Sequence, residues 1–205
     1  FFDIRKDSQE MFEGLEISKN TALCSEWMNQ WPVLFLSFKD VDGNCFENAY
    51  EMLKFALSQA CITHTYLQQD PKIDDTFQKK FSALKDQTAS LQEVKTSILI
   101  LMQMMRDHYG KPVILLIDEY DVPIAKASAK GYYPEMLEVI KGLMSTALKD
   151  NDALRFAVIT GCLRIAKESI FTGTNNFVSD TISSSHLNES FGFTQADIDQ
   201  ILKDA

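Results

Sequence analysis

The stretch Val113–Pro123, VILLIDEYDVP, runs apolar for five residues and then carries Asp118, Glu119 and Asp121 within four positions. Carboxylates this close repel: two unit charges 4 Å apart cost roughly 4 kcal/mol at an effective dielectric of 20. Such a cluster is tolerated where water or a cation neutralises it. Mg²⁺, which takes a few carboxylates together with waters and substrate phosphates, suits a strand-end Asp such as Asp118. In parallel α/β sheets ligands also bind outside the carboxyl ends of the strands. A solvated acidic turn with Tyr120 packed beneath it would use the same residues. Thr160 ends another apolar run, LRFAVITG, and Arg164 follows four residues later. A strand-end hydroxyl can hold an attacking water or a terminal phosphate, or else satisfy a backbone group. A guanidinium there can stabilise a transferring phosphoryl group, although a surface ion pair is the commoner fate of a lone Arg.

Positioning these side chains requires a sheet. Three runs read as buried strands: PVLFLSF (32–38), PVILLID (112–118) and LRFAVITG (154–161). Each is continuously apolar, which predicts a parallel sheet covered on both faces. Between the first two lie helical patterns. Phe46, Tyr50, Leu53, Leu57 and Cys61 form one stripe, and Leu91, Val94, Ile98, Leu101 and Met105 a second that Gly110 stops. Pro71 marks a turn between them. A further helix, with Pro134 in its first turn, joins the second and third strands. The alternation predicts an α/β fold with right-handed crossovers. Thr194 is an N-cap candidate for a last helix, with Asp197 three residues on. Phe1, Phe2 and Ile4 sit at helical spacing with no N-cap and no Met, so the chain is expected to open inside a helix, with sequence missing upstream.

Composition narrows the function. A chain of 205 residues that is 45% hydrophobic can bury a core, and no repeat or linker divides it. A formal charge of −9 and the lack of a basic patch argue against nucleic-acid binding by this segment. The cysteines Cys24, Cys45, Cys61 and Cys162 have no CxxC spacing and are expected as buried thiols in a reducing compartment. No run is long enough for a transmembrane helix and no signal sequence opens the chain, so a cytoplasmic location is expected and Asn188-Glu189-Ser190 is a chance glycosylation tripeptide. His64, His108 and His186 are far apart in sequence and are expected at the surface or as caps. Ser183, Ser184 and Ser185 form no nucleophile elbow. Trp27 and Trp31 are expected as packing anchors.

Four apolar residues followed by Asp-Glu have the Walker B form of P-loop ATPases. Taken together and in order, FEGLEI, WPVLFLSF, VILLIDEYDVPI, LKDNDALRFAVITGCLRIAKESIFTGTNNF and FGFTQADI resemble the AAA-ATPase-like family of prokaryotic P-loop ATPases from about residue 12 onward. The resemblance implies a P-loop NTPase-like (ASCE) parallel sheet flanked by helices, binding ATP and Mg²⁺. It implies that Asp118 holds Mg²⁺ through water, Glu119 is the catalytic base, Asp121 completes the nucleotide-binding IDEYD signature, Thr160 takes the sensor position and Arg164 is the arginine of TGxxRI. Asn175 and Asn176 match the family's NN pair, which has no assigned role. It also implies an effector, commonly a C-terminal PD-(D/E)XK nuclease-like domain, and a homo-oligomer is conceivable.

One part is missing. No G-x-x-x-x-G-K-[ST] exists in the chain, and Gly110-Lys111 is followed by Pro112. The expectation is that residues 1–205 are part of the ATPase domain, with the phosphate loop and its strand upstream of Phe1. That strand would lie beside the third strand, leaving an apolar edge here. Without the loop's N–H groups and Lys, this chain is expected to bind ATP weakly or not at all. The rival reading is a non-enzymatic pseudo-ATPase scaffold. A metal-dependent nuclease is disfavoured by the absence of a Lys shortly after the carboxylates.

Overall fold

The computed structural model describes residues 1–162, 178–181, 184 and 192–204. The chain divides into two units, Phe1–Gly173 and Thr174–Ala205. Unit one contains a parallel sheet of three strands in the order β1-β2-β3: Val33–Ser37, Val113–Asp118 and Leu154–Ile159. All three expected strands form, each within the stretch assigned to it.

Register divides the sheet's side chains into two sets. Leu34 lies beside Leu115, and Leu36 beside Ile117 and then Ile159. On this face Leu34, Leu36, Leu115 and Ile117 are at most 2% exposed. On the other face Val33 aligns with Ile114 and Phe156, Phe35 with Leu116 and Val158, and Ser37 with Asp118. The first of these rows is covered: the Phe2 and Trp27 rings lie 5.8 Å from that of Phe156. The second is open, with Phe35 58% and Val158 46% exposed. Coverage of both faces is therefore corrected at this row, where the described residues place too little over the sheet. Among them β3 has no strand on its outer side, in line with the expected apolar edge.

The helices are amphipathic stripes closed by local chemistry. The stripe from Phe46 forms α3, Phe46–Thr63, with Leu53, Leu57 and Cys61 buried against its neighbours. The stripe from Leu91 is two helices where one is expected: Leu91–Lys95 (here α5) and Ser97–Tyr109 (α6). The Thr96 hydroxyl donates to the Gln92 carbonyl (3.0 Å), and that of Thr146 to the Lys95 carbonyl (2.7 Å). Side-chain bonds thus satisfy backbone groups where the helix breaks. Gly110 ends α6 in the left-handed conformation, as expected.

Between the first and third strands, two helices escaped the sequence reading. One is α4, Asp75–Lys85, capped by Asp74 accepting from the Thr76 N–H and burying Phe81 and Leu84. The other is α7, Val122–Lys130, which starts straight after the acidic run with Asp121 at its N-cap and Pro123 in its first turn. It is followed by α8, Tyr133–Leu148. Of these layers α3 lies against β1, α6 against β2 and α8 against β3.

The opening residues correct an expectation. Residues 1–4 are not helical: Asp3 bridges to Trp31 in parallel, and the Trp31 N–H donates to the Phe2 carbonyl (3.0 Å). Their aromatic spacing serves ring packing from an extended backbone, Phe1 on Phe12 and Phe2 on Trp27. Two very short helices, α1 (Gln9–Phe12) and α2 (Thr21–Trp27), follow. In unit two, α9 (Gln195–Asp204) begins with reciprocal bonds between Thr194 and Asp197, the expected cap. No helix among the described residues is long and apolar enough to cross a membrane.

Candidate functional site

The polar row sits where β2 and β3 end. Asp118 closes β2, and its backbone carbonyl accepts from the Phe38 N–H (3.0 Å). Thr160 follows β3; its N–H donates to the Ile117 carbonyl (2.8 Å) and its hydroxyl donates to Asp118 Oδ1 (2.7 Å). The Tyr120 N–H returns to the Thr160 carbonyl (3.1 Å). Sequence reading places Asp118 and Thr160 at neighbouring strand ends; the structure adds the direct bond between them.

Glu119 stands between these fastenings with φ +54°, a left-handed backbone. Asp121, 3% exposed, is buried at the start of α7, where its carbonyl accepts from the Ala125 N–H (2.9 Å). Among the described residues no three acidic, His or Cys side chains converge to hold a metal on their own. Asp118 and Glu119 are both partly exposed whereas Asp121 is buried, and Thr160 occupies only one oxygen of Asp118. A single carboxylate with an open oxygen fits a hydrated Mg²⁺ completed by phosphates, and does not fit an all-protein cage. Arg164, Asn175 and Asn176 lie outside the described residues.

Two residues that the sequence reading gave no role join the row. A side chain on Gly161 would place its Cβ 2.4 Å from Asp121 Oδ1 and 2.8 Å from two carbons of the Tyr120 ring, so glycine is required by close approach. Ser37 neighbours Asp118 in register. A glycine directly after the strand-end Thr was the available signal for the first; nothing short of strand register could have found the second. At the rim, the loop after β1 is fastened to the α7–α8 junction. The Tyr132 hydroxyl donates to the Gly43 carbonyl (2.9 Å), and Lys130 pairs with Asp42 (2.6 Å).

A second polar cluster holds two of the histidines: His64 caps the end of α3, as expected, but is buried and not at the surface. His64 is 2% exposed, its Nδ1 3.0 Å from the Tyr66 hydroxyl, and His108 pairs with the Asp70 carboxylate. Burial, reinforced by the Arg5 charge, pushes His64 down to about 4. Tyr66 is a near neighbour of His64 in the chain, whereas Asp70 reaches His108 from far away in sequence, a pairing that spacing could not show. His186 lies outside the described residues. Of the thiols expected to be buried, Cys61 is, pushed up to about 12 by burial, whereas Cys24 is half-buried and Cys45 and Cys162 are exposed. Trp27 and Trp31 do pack, stacked 5.4 Å apart with the Arg155 guanidinium over both rings.

The model of a family described as predicted AAA-ATPase matches residues 1–171. Over 96 residues the chain is 35% identical to an uncharacterized protein in the vnfD 5' region of Azotobacter chroococcum mcd 1. That match takes in 45% of this chain and 18% of the relative, so the chain spans less than a fifth of that protein. No solved structure is significantly similar to it.

Proposed function

The chain belongs to the predicted AAA-ATPase family, and from that footing we propose that it is the Walker B and sensor portion of a P-loop domain that binds and hydrolyses ATP. The observation that carries this is the Thr160–Asp118 hydrogen bond at the ends of adjacent parallel strands, with Glu119 beside it. Bound Mg·ATP supplies the phosphoryl group to be transferred and the cation that screens its charge. Asp118 would hold the metal through its water shell, with the Thr160 hydroxyl fixing one carboxylate oxygen so that the other faces the cation. Glu119 would orient and polarise the attacking water. Asp121, buried at the N-cap of α7, fixes the start of that helix and so the path of the acidic run. Arg164 would stabilise developing charge on the phosphoryl oxygens.

The phosphate loop is proposed to come from sequence preceding Phe1, and its strand to pair with the outer side of β3. Among the described residues β3 has no strand on its outer side, which supports that placement. The effector driven by hydrolysis is proposed to be an attached nuclease-like domain. In the full-length protein, Glu119→Gln should abolish turnover while Mg·ATP binding by calorimetry is retained; unchanged hydrolysis would remove Glu119 from this role. The lack of any G-x-x-x-x-G-K-[ST] segment in the 205 residues favours a second reading, a non-enzymatic scaffold. An intact GKT or GKS shortly upstream of Phe1 decides for the enzyme, and its absence for the scaffold.

A further inference from the structure

Glu119 is the only member of the run Asp118–Asp121 with a left-handed backbone, φ +54°. Turn chemistry would choose glycine or asparagine there, because a long L side chain is strained at positive φ. Such a conformation persists only where the surroundings over-determine it. Here the surroundings are two consecutive residues of another strand's end. On the amino side of Glu119, Asp118 is held by its carbonyl in the sheet and by the Thr160 hydroxyl on its carboxylate. On the carboxyl side, the Tyr120 N–H donates to the Thr160 carbonyl, and the Tyr120 ring lies so close to Gly161 that no Cβ fits between them. The chain must then enter α7 at once, with Asp121 buried against the same glycine. Strand end and helix start are both pinned to Thr160–Gly161, and residue 119 absorbs the reversal.

We propose that Tyr120 and Gly161 are positioning residues, a clamp that holds Glu119 left-handed and thereby sets its carboxylate for water activation. The catalytic half of this statement rests on Glu119 being the base; the mechanical half does not. A double-mutant cycle on the full-length protein separates them. Glu119→Gly should raise the melting temperature by about 2–4 °C in the wild-type background, because glycine relieves the strain. In a Tyr120→Ala background the same substitution should give no gain, because the released residue 119 has already relaxed. If Tyr120→Ala fails to melt cooperatively, Gly161→Ala, whose methyl pushes Tyr120 and Asp121 away, takes its place in the cycle. An equal gain in both backgrounds overturns the clamp.

In the activity arm, Tyr120→Ala should lower kcat roughly 10- to 100-fold with the Mg·ATP dissociation constant within about twofold of wild type. Tyr120→Phe, which keeps the ring against Gly161, should recover most of that loss. An unchanged kcat for a folded Tyr120→Ala protein overturns the positioning role. A wild-type protein with no ATPase activity refutes the proposed function instead, and the melting cycle then decides the clamp on its own.

Discussion

One face of the sheet and the middle row of the other have opposite fates. Leu34, Leu36, Leu115 and Ile117 point into the helical layer and are sealed, whereas Phe35, between Leu34 and Leu36 on β1, and Val158 on β3 meet solvent. Both sets are equally apolar. Composition therefore records that a strand is built to be covered and not what covers it. The open face also leads into the polar row: Phe35, Leu116 and Val158 stand one step below Ser37, Asp118 and Thr160. The exposed apolar surface and the candidate chemistry are consecutive rows of the same face.

That contrast can be broken experimentally. The largest effect is expected on the sealed face, where Leu115→Ala should cost about 2–5 kcal/mol in denaturant unfolding through lost burial and a cavity. Next comes the buried His64. Its folded value of about 4 lies below its ordinary 6.5, so the unfolded chain takes up a proton that the folded one refuses. Its contribution is fully present above pH 6.5 and falls away between pH 6.5 and 4, by about 3 kcal/mol at most. His64→Gln should flatten that part of the stability profile, and an identical slope in the variant would assign acid sensitivity elsewhere. A smaller change is expected for Thr160→Val, about 0.5–1.5 kcal/mol for one hydrogen bond, but with a clear loss of turnover in the full-length protein. Smallest of all, Val158→Thr on the open face should stay within about 0.5 kcal/mol while reducing self-association in light scattering. A loss as large as that of Leu115→Ala would mean that the open row is packed in solution.

Legibility followed the range over which a residue's environment is set. Strands were readable because Val33–Ser37, Val113–Asp118 and Leu154–Ile159 are short apolar runs, and the Gly110 stop because one residue determines it. The helix α7 was hidden by the reading of Asp118–Asp121 as a turn, although Pro123 in a first turn was a helix-start signal. Helix α4 was signalled by Asp74 before Phe77, Phe81 and Leu84, a weaker stripe overshadowed by its neighbours. Phe1 and Phe2 misled because aromatic spacing serves ring packing as readily as helix geometry. At the candidate site, residue types and strand ends were legible. The Thr160–Asp118 bond, the Gly161 contact and the left-handed Glu119 were not, because each depends on register between segments some forty residues apart.

The connection from Ser37 to Val113 has its own consequence. Two strands that lie side by side are separated in the chain by α3, α4, α5 and α6, so their pairing closes a long loop before it returns any hydrogen bonds. The local contacts of α3 with α4, and of α4 with α6, can form first, and the sheet must wait for them. A topology this non-local slows folding. During that interval β1 and β2 present bare backbone edges, which makes the order of assembly a hazard in dilute refolding and favours helical layers that settle early.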